Sequence, residues 1–172
     1  MAFITNKKEQ VKIKIRNLND FYRDAINKGI SIVPFDILKY VNSFDYIELN
    51  INDGDVDFFS LGLIEKFQNG DGFLISTNKF QDIRIQRMIL ARLFAHYCLH
   101  RDYILQNGKI EIKKFWTADK MSREANDLAS KLLMPKATFK VKCKEFRTFG
   151  ELAEYFNVTQ TMAKFRFQNL WN

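Results

Sequence analysis

Two cysteines, two histidines, two prolines and seven glycines are spread over 172 residues, and each scarcity closes off a class of protein. Cys98 and Cys143 are too few for a disulfide framework and read as reduced thiols of a cytoplasmic protein. Few glycines and prolines, set against seventeen phenylalanines and 47% hydrophobic residues, exclude a disordered chain or a repeat array. No segment approaches the ~20 apolar residues of a membrane span. Met1-Ala2-Phe3-Ile4-Thr5-Asn6-Lys7-Lys8 has no apolar core long enough for a signal peptide, so neither membrane nor secretion is expected.

What is present suits one domain over residues 1–172, with a helical and sheet core at about 7–146 and a helical unit at about 147–172. The net charge of +7 suits an anionic partner, nucleic acid or an acidic protein face, as well as it suits ordinary solubility. From Lys7 to Asn27 apolar residues keep a 3.6-residue period, which predicts an amphipathic helix stopped by Gly29, and Phe35 to Val41 predicts a short second helix. Asp45 to Asn50, Val56 to Phe67 and Phe73 to Asn78 favour strands, with Asp53-Gly54 as a hairpin signal and Gln68 to Gly72 as a second turn. Lys109 to Trp116 alternates charged and apolar residues, as an edge strand does. Together these give an α+β fold, helices packed on a small antiparallel sheet.

The most informative stretch runs from Arg87 to Arg101. Met88, Leu90, Ala91, Phe94, Ala95, Cys98 and Leu99 recur at helical spacing without Gly or Pro, which predicts a mostly buried helix. Both histidines, His96 and His100, lie on it four residues apart, the spacing at which an H-E-x-x-H helix holds zinc. The second position of that motif is Tyr97, and a phenol cannot act as the carboxylate base. A nucleophile made of Cys98 with His96 or His100 is disfavoured, because residues two apart face different sides of a helix.

The flanks point to another register. Arg87-Met88-Ile89-Leu90-Ala91 followed by His96-Tyr97-Cys98-Leu99-His100-Arg101 resembles the helix R-F-T-x-A-H-E-L-G-H-Y-L-L-H-R of the ImmA/IrrE metallopeptidases. Ser122 to Pro135 resembles that family's E-x-x-A-N-x-F-A-x-x-L-L-M-P block. The resemblance implies a zincin-like domain over roughly residues 30–170. It also implies that the first zinc ligand is replaced by Arg92, the catalytic glutamate by Leu93 and the third ligand by Ser122, so only the second ligand, His96, remains. Glu124 lies two residues beyond Ser122, roughly 200° around a helix, and cannot stand in without the helix rotating.

A catalytic zinc needs three protein ligands. A guanidinium about 4 Å from a divalent ion costs roughly 8 kcal/mol at an effective dielectric of ~20. The expectation is therefore a pseudo-peptidase with no catalytic residue, metal or cofactor, its former site at Arg92, Leu93, His96 and Ser122, and with Arg92 paired to Glu124 across the gap. The alternative is an active enzyme in a shifted register, with zinc on His96, His100 and Glu124. His96 is otherwise an ordinary hydrogen-bonded core histidine, and His100 sits near the helix end, where the dipole favours a positive charge.

The tail supplies the other pattern. Leu152, Ala153 and Phe156 form one apolar face, Asn157 suits a left-handed turn, and Thr159 can cap a helix carrying Met162, Ala163, Phe165 and Leu170. This helix-turn-helix-like unit resembles the family's tail. Thr159, Gln160, Thr161, Lys164 and Arg166 would be its contacts to nucleic acid or a partner. Because Phe165, Phe167 and Trp171 make the face apolar, closing the domain core is the favoured role. By family analogy the partner is a transcriptional regulator or repressor, and the source a mobile element or prophage.

Overall fold

The computed structural model describes residues 17–52, 60–68, 70–80 and 82–170. The first half of the expected Lys7–Asn27 helix, the Asp53-Gly54 pair, Asn69 and Trp171 lie outside these residues. Helix α1 (Leu18–Asn27) starts at a capping box, in which Asn17 accepts from the Asp20 backbone and Asp20 accepts from the Asn17 backbone. It buries Phe21 and Ala25, and Gly29 at φ +67° turns the chain out of it. Asp36 caps α2 (Ile37–Asn42), which buries Ile37, Tyr40 and Val41.

Strands β1 (Ile47–Asn52), β2 (Gly62–Lys66), β3 (Phe73–Asn78) and β4 (Lys109–Ile112) form one sheet in the order β1-β3-β2-β4. β1 runs parallel to β3, whereas β2 is antiparallel to both β3 and β4, so the sheet is mixed and the all-antiparallel expectation is corrected. The strands flanking Asp53-Gly54 are not a hairpin, because β3 lies between them. Burial overrides the local turn signal here. β3 buries Phe73, Ile75, Ser76 and Thr77, and the sheet gives this strand a paired neighbour on each edge. The second turn does join paired strands, with the Phe67 N–H donating to the Gly72 carbonyl at 3.0 Å. β4 is an edge strand as expected, though shorter than the alternation suggested.

Helix α3 (Ile83–Asn107) lies against the sheet and is buried from Met88 through Tyr97. It approaches β2 closely at Gly62, where an added Cβ would stand 2.9 Å from Leu93 Cδ1 and 3.2 Å from Ile89 Cγ2. On its other side Phe94 is ringed by Phe21, Tyr40, Phe44 and Tyr97 at 5.7–6.1 Å between centroids. Edge-to-face and offset contacts of this kind add roughly 0.5–1.5 kcal/mol per pair beyond area burial. The many phenylalanines thus hold α3 in place.

Asp119 caps α4 (Lys120–Leu133), and Pro135 starts α5 (Lys136–Glu145). α6 (Phe149–Phe156) begins at a Thr148–Glu151 capping box and ends at Asn157 in the left-handed conformation, φ 51° and ψ 53°. Thr159 then caps α7 (Gln160–Gln168) through the Met162 N–H. Two short helices thus flank a turn at Asn157. Its inner face, Leu152, Ala153, Phe156, Val158, Met162, Ala163 and Leu170, belongs to the same hydrophobic cluster as the sheet and α3. Among the described residues no helix is long and apolar enough to cross a membrane.

Candidate functional site

Arg92 and His96 are four residues apart on α3, one turn above the other, and both are nearly inaccessible, at 1% and 2% exposure. Arg92 cannot reach water, so it satisfies its guanidinium on backbone. Nη1 donates to the Phe115 carbonyl at 2.6 Å and to the Lys114 carbonyl at 3.2 Å, both in the segment after β4. Its buried Nε has no partner. Burial pushes the guanidinium down to about 10, the nearby Asp119 carboxylate opposing the shift, so the group stays cationic at neutral pH.

The expected Arg92–Glu124 ion pair is not formed. Glu124 instead accepts from His100, Nε2 to Oε2 at 3.0 Å, and lies beside Lys120 on its own helix. Sequence reasoning missed the true partners of Arg92 because a carbonyl oxygen leaves no mark on residue identity. His100 is also not at a helix end. α3 continues to Asn107, with a break in helical geometry at His100 itself, φ −123° and ψ 25°.

That break brings the two imidazoles together, His96 Nδ1 and His100 Nδ1 standing 3.1 Å apart. Glu124 accepts from Nε2–H of His100, and the facing Nδ1 atoms of His96 and His100 share one hydrogen bond. The result is a linear relay, His96 to His100 to Glu124. Burial pulls His96 down to about 4, with His100 and the Arg92 charge adding to the effect and Asp119 opposing it. His96 is therefore neutral near pH 7.

A metal held by His96, His100 and Glu124 would need three donors converging on one point. Here Glu124 sits on the far nitrogen of the His100 ring, and the facing nitrogens bond each other. The residues do not fit a zinc site in either register. Among the described residues no group of three or more His, Cys, Asp or Glu is arranged to hold a metal ion.

Ser122, which the sequence resemblance aligned with a ligand, lines a cavity of about 250 Å³ with His96, Tyr103, Met121, Asp119 and the β4 residues Lys109 to Glu111. Its backbone N–H is the donor that Asp119 caps, at 2.9 Å. Hydrogen bonds from the Thr117 hydroxyl and then the Ser122 N–H hold the Asp119 carboxyl down to about 2. Asp119 is the site residue that sequence reading passed over. Its signal was available in its position as the cap of the helix carrying Ser122.

Leu93, which the sequence resemblance aligned with a catalytic glutamate, is fully buried against Gly62 of the sheet. Cys98 is no nucleophile, since burial raises its thiol far above the ordinary range. Of the tail residues, Gln160, Thr161 and Lys164 are exposed and Thr159 is half-buried at its capping position. Arg166 is not on that surface. It is 1% exposed, donates from Nε to the Met134 carbonyl at 3.2 Å and lies over the Phe139 ring. Arg87 ties the same unit to the core, donating to the carbonyls of Asn157 and Phe35 at 2.8 Å each.

Residues 75–168, more than half of the chain, match the model of a peptidase family described as the IrrE N-terminal-like domain. The match takes in the last four residues of β3, the whole Arg92–His96–His100 helix, the Ser122 block and both tail helices. No curated protein matches the chain.

Proposed function

The chain belongs to the IrrE N-terminal-like family, and from that membership we propose that it is a catalytically inactive member, a pseudo-peptidase acting as a protein-interaction or regulatory module. The observation that carries this reading is the buried Arg92 guanidinium. It stands at the first-ligand position, anchored to the Phe115 and Lys114 carbonyls and close enough to His96 to help depress its pKa. Leu93 at the general-base position packs against β2 and supplies no proton acceptor. Every charge-bearing step of metal-assisted hydrolysis lacks its residue.

The module works in the cytoplasm, encoded by a mobile element or prophage, and holds a transcriptional regulator at the surface that in active relatives takes substrate. Metal analysis of protein purified without chelator, together with a peptidase assay on a protein substrate, tests the first half. Neither stoichiometric zinc nor cleavage is expected. Zinc at one equivalent with cleavage that Glu124→Gln abolishes overturns the proposal in favour of the shifted site. Recovery of one transcriptional regulator by the bound chain supports the second half.

The capped α6 and α7 pair, with Gln160, Thr161 and Lys164 exposed on the second helix, favours nucleic acid as a second reading. It predicts binding to duplex DNA that weakens steeply with salt. A flat salt response, or binding unchanged by Lys164→Glu, removes it.

A further inference from the structure

β4 is the edge of the sheet beyond β2, and its register decides which backbone groups are turned outward. Lys66 and Leu61 donate to the carbonyls of Gly108 and Ile112, so residues 108, 110 and 112 present their backbone to β2. By alternation the N–H and C=O of Lys109 and Glu111 point away from the sheet. Among the described residues no backbone group bonds to them. Lys109, Ile110 and Glu111 also line the cleft at His96, so this edge is accessible.

An exposed edge is a template for a further strand, and a lysine on it normally keeps two copies apart. Lys109-Ile110-Glu111 has the opposite effect. Two copies related by a two-fold axis pair antiparallel, and the edges exchange hydrogen bonds only where outward residues meet outward residues. Centring that pairing on Lys109 opposes two lysines, and centring it on Glu111 opposes two glutamates. Centring it on Ile110 sets Lys109 of each copy directly against Glu111 of the other.

The side chains agree with that register. Ile110 stands opposite Ile64, on the face that Gly62 turns to α3, which leaves Lys109 and Glu111 on the other face. There Glu65 lies across from Lys109, so charge of alternating sign would continue through the seam. Glu111 meets Lys113 at 3.4 Å, an exposed pair that contributes little and leaves the carboxylate able to accept a second cation. On the α3 side, Tyr103 is 45% exposed and borders the cleft with Ile110, so that side of the seam is apolar.

We propose that two copies of this chain associate through β4, antiparallel about Ile110, and join their sheets edge to edge. A four-residue strand buries little area, so the dimer is weak and reversible. Because the same three residues line the cleft, pairing closes the cleft of each copy against any other occupant. An unrelated extended segment could satisfy the backbone, but the match of Lys109 to Glu111 about a two-fold axis favours the chain's own copy. The proposal holds whether or not the peptidase centre is inert, so its failure leaves that reading untouched.

Sedimentation velocity on the full chain, from about 1 μM to about 1 mM, should show a reversible equilibrium of monomer and dimer. Over the same range the Lys109 and Glu111 amides should gain protection from hydrogen exchange. Glu111→Lys opposes lysines and Lys109→Glu opposes glutamates, so each alone should weaken association about tenfold or more. Mixed in equal amounts, the two variants should pair with each other as tightly as the parent pairs with itself, a result that misfolding cannot give. The exchange Lys109→Glu/Glu111→Lys should likewise restore the parental dimer. The proposal fails if the chain is still monomeric at about 1 mM, if neither single variant weakens the dimer, or if the mixed variants associate no better than each alone.

Discussion

Replacing Arg92 by leucine tests the centre of the site. The substitution removes two hydrogen bonds from a charged donor, each contributing roughly 1.5–3 kcal/mol, and leaves the carbonyls of Lys114 and Phe115 without that donor. It also relieves the cost of burying a cation at 1% exposure, a penalty of several kcal/mol before compensation. Replacing both members of a buried polar pair by apolar groups can be neutral, but here only the donor is removed and the backbone acceptors stay. The loss therefore outweighs the relief, and a net destabilisation of about 3 kcal/mol follows, or roughly 6–12 °C in Tm for a domain of this size. Urea denaturation and thermal scans measure it, with Arg92→Lys, which keeps the charge but not the planar fork, falling between. Removing the cation also raises the His96 pKa toward its ordinary value, though not fully, because burial is the larger cause. A leucine variant as stable as the parent, or one whose His96 titrates unchanged by NMR, would refute the account of Arg92 as an anchoring charge beside His96.

His96 carries a pH dependence of definite sign. Its folded pKa of about 4 lies below the ordinary imidazole value of 6.5, so between these values the unfolded chain binds more protons and stability rises with pH. The contribution, of order 3 kcal/mol, is present above pH 6.5 and lost as pH falls toward 4; His96→Gln should flatten the denaturation-midpoint profile across that window. Gly62→Ala should cost about 1–3 kcal/mol in urea denaturation, because its Cβ would meet Leu93 Cδ1 at 2.9 Å and the Ser76 carbonyl at 3.0 Å; an unchanged midpoint would mean that α3 and β2 are less tightly apposed. Thr159→Ala removes the hydroxyl that caps α7 and should cost about 1 kcal/mol, read as lower helicity and an earlier unfolding midpoint.

Helices and their ends were legible because their determinants are local. The capping role of Thr159, the left-handed Asn157 and the stop at Gly29 depend on neighbours within a few residues. Strand order was not, because it depends on which strand is buried on both edges, and a turn signal at Asp53-Gly54 says nothing about β3 arriving later to separate β1 from β2. At the site, the resemblance of the α3 sequence to the metallopeptidase pattern drew attention to Arg92. It could not show that the charge is satisfied by carbonyls, since every residue has one. Arg166 was misplaced for the same reason, as its partner is the Met134 carbonyl and its neighbour the Phe139 ring. His100, which bonds Glu124, also departs from helical geometry, and no proline or glycine announces that break.

In the metal-bearing pattern that this chain resembles, one ion would join the α3 histidines to the helix bearing the third ligand. Two separate links are present here, Arg92 to the segment after β4 and His100 to Glu124 on α4. They share no hydrogen-bond partner and meet only through His96, which bonds His100 and feels the Arg92 charge, so their contributions should be nearly independent. A double-mutant cycle on Arg92→Leu and Glu124→Ala, followed by urea denaturation, should give additive losses. A direct Arg92–Glu124 ion pair, the arrangement first expected from the sequence, would instead make the second substitution cost less in the background of the first. The cycle thus separates one shared electrostatic bridge, which a metal could replace, from two independent ties that hold the same helices with no ion between them. Measured coupling as large as the smaller of the two single losses would refute the second arrangement, whatever the stability of the single variants.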